Sequence, residues 1–172
     1  MLIDFGFARK LAQVHTSMNN NDILRRVRYT FDFHDEAMQE IFALGDLEVE
    51  KKQVIDWLRR EEDPEAKELS DFELASFLNG LITHKRGAKD GPKPVAEQQL
   101  TNNLILRKLK IALNLKNEDM IEIYDKVDMR ISPHEISAFF RKPGHPKYRL
   151  CKDQFLRVFL QGLNKKYRSK DE

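Results

Sequence analysis

Asn21-Asp22-Ile23-Leu24-Arg25-Arg26-Val27-Arg28 returns later in the chain as Asn103-Leu104-Ile105-Leu106-Arg107-Lys108-Leu109-Lys110. Everything downstream of each copy repeats as well. Residues 21–86 fall on residues 103–168 at a constant offset of 82 without a gap. The overlay pairs Met38 with Met120, Glu40-Ile41 with Glu122-Ile123, Asp46 with Asp128, Arg59 with Arg141, Pro64 with Pro146 and Asp71 with Asp153. It matches best near its end, Phe77-Leu78-Asn79-Gly80-Leu81 against Phe159-Leu160-Gln161-Gly162-Leu163. Eighteen of the 66 aligned positions are identical, where chance would give about four at the roughly 5–7% usage of common residues. A fixed offset held through loops marks an internal duplication. Duplicated apolar positions report a shared core, whereas function has to be argued from a site.

The apolar spacing predicts four helices per repeat and an all-α fold. Ile23, Leu24, Val27 and Phe31 share one face of a first helix. Asp35 is expected to cap a second helix through Met38, Ile41 and Leu44, closed by Gly45. A third runs from about Glu50 through Val54 and Trp57, followed by the acidic loop Glu61-Glu62-Asp63-Pro64-Glu65. Ser70 and Glu73 form a capping box for a fourth helix through Leu74, Phe77, Leu78 and Leu81. The second copy announces the same helices, with Asn117 in the place of Asp35 and Ser132-Pro133-His134-Glu135 as the start of its third. The expected organisation is an N-terminal extension over residues 1–17, repeat 1 over 18–86, a Gly/Pro-containing linker over 87–102 and repeat 2 over 103–172. Whether the repeats pack about a pseudo-twofold or by translation is open at this point.

Hydrophobic residues make up 41% and charged residues 34% of the chain, which is enough apolar surface for a core and not a disordered composition. The apolar runs fall far short of the roughly 20 residues of a membrane span. One cysteine, Cys151, allows no internal disulfide, so a cytoplasmic location is expected. The net charge of +2 conceals a division: residues 21–86 carry −6 and residues 103–172 carry +7. Such asymmetry informs about partners rather than fold.

Asn-x-Ile-Leu-Arg at the head of each half, Asp56-Trp57-Leu58-Arg59, Phe77-Leu78-Asn79-Gly80-Leu81-Ile82 with Lys85-Arg86-Gly87, and Gly144-His145 followed by Asp153-Gln154-Phe155-Leu156-Arg157 together resemble the bacterial YehS-like proteins. The resemblance runs from about Met18 to Arg168, and both repeats agree in order and spacing. It implies a small cytoplasmic bacterial protein built from two copies of a domain of unknown function, and it brings no catalytic residues. The leader and Pro146 depart from the pattern.

Four constellations are candidates for chemistry. Lys142-Pro143-Gly144-His145-Pro146-Lys147-Tyr148-Arg149 aligns with Arg60-Glu61-Glu62-Asp63-Pro64-Glu65-Ala66-Lys67, so one loop has diverged to opposite charge. Cations interleaved with an aromatic suit phosphate contact and base stacking. The candidate partner or nucleic-acid surface is therefore Lys142, His145, Lys147, Tyr148, Arg149, Lys152, Arg157, Lys165, Lys166 and Arg168, against the plainer reading of a solvated loop and a basic tail. A helix-turn-helix with Gly45-Asp46-Leu47 as its turn would put Lys51, Lys52 and Gln53 on a recognition helix, but that helix sits in the acidic half. Cys151 near His145 and Asp153 imitates a nucleophile, yet it aligns with Leu69 and reads as packing. The cationic row Arg25, Arg26, Arg28 and its copy Arg107, Lys108, Lys110 is either a solvated face or a set of partners for carboxylates of the neighbouring repeat. No catalytic, cofactor or metal site emerges; the five histidines lack ligand spacing. Ile3-Asp4-Phe5-Gly6 lacks every preceding kinase motif.

The reading that follows is a non-enzymatic interaction or regulatory module that binds a protein partner or itself through oppositely charged repeats. Nucleic-acid binding by repeat 2 is the alternative, and an enzyme with a pocket between the repeats is the least favoured. No membrane partner, small-molecule substrate or cofactor is expected.

Overall fold

The computed structural model describes residues 18–168, and within them the chain forms eight α-helices and no strand. Repeat 1 holds α1 Asn20–Phe31, α2 Asp35–Leu44, α3 Lys51–Leu58 and α4 Asp71–Arg86; repeat 2 holds α5 Asn102–Ala112, α6 Asn117–Asp125, α7 Pro133–Phe139 and α8 Asp153–Tyr167. The expected extension over residues 1–17, with Ile3-Asp4-Phe5-Gly6, lies outside the described residues.

Local signals set most of the boundaries. The Ser70 hydroxyl accepts from the Glu73 N–H at 3.1 Å and the Glu73 carboxylate accepts from the Ser70 N–H at 2.9 Å, the reciprocal box expected at the head of α4. Ser132 accepts from the Glu135 N–H at 3.1 Å with Pro133 in the first turn of α7. One expectation is corrected. Asp35 and Asn117 are the first helical residues rather than the caps; His34 and Lys116 take the cap positions with extended backbone. Gly45 closes α2 as expected, at φ −90°, and the left-handed residue is the following Asp46, at φ 63°. Its copy Asp128 has φ 58°, and Asp32 and Asn114 form a second such pair at 53° and 52°. Short polar side chains tolerate this region best after glycine.

Buried asparagines tie each first helix to its own repeat. The Asn21 side chain donates to the Trp57 and Lys67 carbonyls at 2.9 and 2.7 Å and accepts from the Leu69 N–H at 3.0 Å. Asn103 repeats the set on Phe139, Arg149 and Cys151 at 3.0, 2.8 and 2.9 Å. Asn20 bonds the Leu69 carbonyl and Asp71, and Asn102 bonds the Cys151 carbonyl and Asp153.

The repeats pack reciprocally: α4 lies against α5, and α8 lies against α1. A translation would bring together only the first of these pairs, so the relation is a pseudo-twofold. Its axis follows from helix direction. At one end of the α4–α5 pair the Leu100 N–H donates to Asp71 at 2.8 Å, and at the other Arg86 donates to the Ile111 carbonyl and to Asn114. In the α1–α8 pair, Arg168 donates to the Tyr29 carbonyl at the C-terminal ends. Helices α1, α4, α5 and α8 therefore run in one direction, and a twofold that preserves direction lies along them. Both inter-helix loops, residues 59–70 and 141–152, consequently stand at the same end, beside the four helix N-termini.

One apolar core spans both repeats, with Phe42 set between Trp57 and Phe77 at ring separations of 5.2 and 5.0 Å and Tyr124 against Phe159 at 5.7 Å. Each fully buried Leu or Phe contributes ~1.5–3 kcal/mol relative to exposure. Helix α4 is the innermost element. Every residue from Leu74 to Leu81 is buried, because α2 packs on one side of this stretch, with Gly45 against Ser76 and Gly80, and α5 on the other. Helix α8 is buried only at Leu156, Phe159, Leu160, Gly162 and Leu163 and keeps a polar face.

Candidate interaction surfaces

The two loops share one backbone. In residues 59–70 the Asp63 N–H donates to the Arg60 carbonyl and the Ala66 N–H to the Asp63 carbonyl, both at 3.0 Å; in residues 141–152 His145 donates to Lys142 at 3.0 Å and Tyr148 to His145 at 2.9 Å. The Lys67 N–H meets the Asp56 carbonyl as the Arg149 N–H meets that of Ala138. Even the side-chain lock is the same in kind. Asp63 Oδ1 accepts from the Glu65 N–H at 2.9 Å, and His145 Nδ1 accepts from the Lys147 N–H at 3.0 Å. The shared hydrogen bonds persist although the charge of the loop is inverted.

In the first loop part of the charge is spent internally. Asp56, 4% exposed, takes Lys52 at 2.7 Å and Arg59 Nε at 3.0 Å, and Arg59 reaches on to Asp63 and Glu65 at 3.1 Å each. The Lys52 and Arg59 hydrogen bonds hold the Asp56 carboxyl below the usual carboxylate range. The Asp63 carboxyl is also lowered, first by the Glu65 N–H and then by Arg59. Repeat 2 has Ala138, His145 and Lys147 in place of these three acids, so Arg141 keeps none of its counterpart's partners. Arg141, Lys142, His145, Lys147, Arg149 and Lys152 are exposed and Tyr148 is half-buried. No ion pair engages any of them among the described residues. Glu61, Glu62 and Glu68 are exposed across the axis at the same end.

The sequence-derived set is thus divided. Lys142, His145, Lys147, Tyr148, Arg149 and Lys152 come together at the N-terminal end. Lys165, Lys166 and Arg168 lie at the far end of the 15-residue α8, ~20 Å away at 1.5 Å per residue. Those distal cations have packing roles as well. Lys165 donates to the Lys126 carbonyl at 3.0 Å, Lys166 sits 5.5 Å from the Tyr167 ring, and Arg168 stacks 3.6 Å over Tyr29. Arg157 stands between the two groups, beside Arg26.

The other candidates resolve into structure. Cys151 is buried in the core, and burial, with Asp153 adding to it, pushes its thiol up to about 12. Lys51 pairs with Glu36, Lys52 with Asp56, and Gln53 caps the Glu50 N–H, so the three residues of the helix-turn-helix reading are held within repeat 1. No group of three or more His, Cys, Asp or Glu among the described residues is placed to hold a metal. No helix among them is long and apolar enough to cross a membrane.

One surface the sequence did not single out is a groove of about 570 Å³ between α1 and α8, walled by Arg25, Arg26, Tyr29, Asp128, Gln161 and Asn164 among others. Arg26 belongs to the cationic row read from the sequence, but nothing there shows that it faces the partner repeat.

Two copies of a four-helix unit, packed about a twofold with their charge-inverted loops at one end, define a tandem-repeat all-α protein. The chain belongs to the family described as Protein of unknown function (DUF1456), whose model matches residues 20–87 and again residues 102–169. It is 44% identical over 148 residues to "Uncharacterized protein YehS" of Escherichia coli (strain K12), covering 85% of this chain and 94% of that protein. No solved structure matches.

Proposed function

We propose that this chain is a non-enzymatic helical interaction module that docks through the end of the molecule carrying both loops. One observation supports this reading above others: the loops at residues 59–70 and 141–152 keep the same backbone hydrogen bonds, carry opposite charge and stand side by side. A surface with an acidic and a basic half fits a partner with the same two halves in reverse. A second copy of this chain meets that condition when turned about a twofold perpendicular to the helices. The acidic loop of each copy then faces the basic loop of the other, and the contact closes as a dimer. Such contacts weaken as salt shortens the Debye length from about 10 Å at 0.1 M to about 3 Å at 1 M.

Sedimentation velocity at low and high salt tests the reading. The expected result is salt-sensitive self-association that K147E/R149E and E61K/E62K each abolish alone. Mixing the two variants should restore a heterodimer, because one then carries two acidic loops and the other two basic ones. A chain that stays monomeric at low salt removes the self-association reading.

A second reading, nucleic-acid binding by repeat 2, rests on the cluster Lys142, Lys147, Arg149 and Lys152, which has no ion-pair partner among the described residues, together with Tyr148. Lys165, Lys166 and Arg168 stand ~20 Å from that cluster, at the other end of α8. Anisotropy titrations of the full chain against mixed-sequence single- and double-stranded DNA and RNA test it. For every duplex phosphate that K147E/R149E no longer engages, the log–log salt slope should flatten by about 0.9.

A further inference from the structure

The two inter-repeat contacts are related by the pseudo-twofold, but among the described residues only one of them is covered. Over the α4–α5 contact, residues 87–101 lay down two charged side chains four residues apart. Glu97 accepts from Lys108 Nζ at 3.0 Å, and Lys93 donates to Asp46 at 3.0 Å. Lys108 is buried and also meets Asn79 at 2.5 Å. The α1–α8 contact presents the counterparts of these residues, Arg26 for Lys108, Gln161 for Asn79 and Asp128 for Asp46. No described segment crosses them, and the groove of about 570 Å³ opens there.

The open side shows the electrostatic signs of a missing counterpart. Arg26 is half-buried beside Arg157, and no carboxylate bonds its guanidinium among the described residues. Burial, then Arg157, lower its proton affinity, whereas the corresponding cation opposite has Glu97. Asp128 has no ion pair among the described residues. Asn164, in the groove wall, keeps a buried carbonyl oxygen without a hydrogen-bond partner, and its counterpart on the covered side is Ile82.

We propose that the groove between α1 and α8 binds, in trans, an extended peptide segment with a carboxylate that pairs with Arg26 and, four residues before it, a cation that pairs with Asp128. The pattern is Lys-x-x-x-Glu, as in Lys93-Pro94-Val95-Ala96-Glu97 on the opposite side, with a backbone N–H available for Asn164. Among the described residues the chain does not supply this segment to itself. Residues 93–97 are engaged over α4 and α5. The inference is independent of the charged end proposed above, which lies off the groove.

The probe is a fluorescein-labelled synthetic peptide of residues 89–101, titrated against the full chain at low salt and followed by anisotropy. Saturable binding is expected, weakened at least tenfold by R26Q and by D128N and largely kept by R26K. Asn tolerates the left-handed backbone at position 128, so D128N tests the charge without disturbing the turn. A peptide with its Lys and Glu exchanged should bind at least tenfold more weakly. The proposal is overturned if the peptide does not bind, or if R26Q and D128N leave binding unchanged. Binding abolished in K108Q but not in R26Q would put the peptide on the opposite contact and would also overturn it.

Discussion

A β-carbon on Gly80 would stand 1.7 Å from the carbonyl oxygen of Ile41, and one on Gly162 would stand 2.4 Å from that of Ile123. These are the same contact in the two repeats, the place where the last helix of each unit presses backbone to backbone against the second. In repeat 1 the approach is doubled, because Gly45 faces Ser76 and Gly80 there while repeat 2 has Val127. G80A forces two helix backbones apart, beyond the reach of a rotamer change. A loss of ~3 kcal/mol or more is expected, with G162A milder, measured as the shift in urea midpoint at unchanged slope.

Asn21 and Asn103 each satisfy, from a buried position, one carbonyl of the third helix of their repeat and one carbonyl and one amide of the loop that follows it. Removing either side chain leaves those backbone groups without partners. N21A and N103A should each cost roughly 2–4 kcal/mol, and by similar amounts, since the two sets of bonds agree so closely. Chemical denaturation checks this; a difference beyond about 1 kcal/mol would show that the acidic loop gains independent support from the Arg59 ion pairs.

The Asp56 carboxyl is lowered in the folded protein by Lys52 first and Arg59 second. The stability linked to it is therefore fully present above the unfolded value near 3.8 and is lost as pH falls through the lower folded value. Melting temperatures of the wild type and D56N should differ at pH 7 and converge as pH drops below about 4. A gap that stays constant to pH 2 would mean that the charge of Asp56 is not what stabilises the loop. Position 138 offers no corresponding effect, since it is Ala138.

With its thiol near 12, Cys151 is thiolate in roughly one molecule in ten thousand at pH 8. A chromogenic disulfide reagent should label the native protein only on the timescale of opening, and the denatured protein within seconds. Rapid labelling under native conditions would remove the buried assignment. C151S should destabilise, because it places a hydroxyl where Leu69 stands in the other repeat.

Periodicity, capping residues and a gapless offset of 82 were sufficient for eight helices in two units, because those signals act within a turn or two of the residues that carry them. They also marked the loop whose charge inverts between copies. Spacing alone misplaced the caps of α2 and α6, since acidic first-turn residues and capping residues share a composition. The direction shared by α1, α4, α5 and α8 was decided only by tertiary packing, and with it the twofold and the placement of both loops at one end. The same packing separated Lys165, Lys166 and Arg168 from the basic loop, although all lie on or beside one helix. Asp46 and Asp128 were visible as an identical pair, but their left-handed backbone was not. Nor does the sequence show that residues 87–101 cover one inter-repeat contact while no other described segment crosses its counterpart. A duplicated sequence specifies two equal interfaces, and a linker that occurs once between the copies makes them unequal.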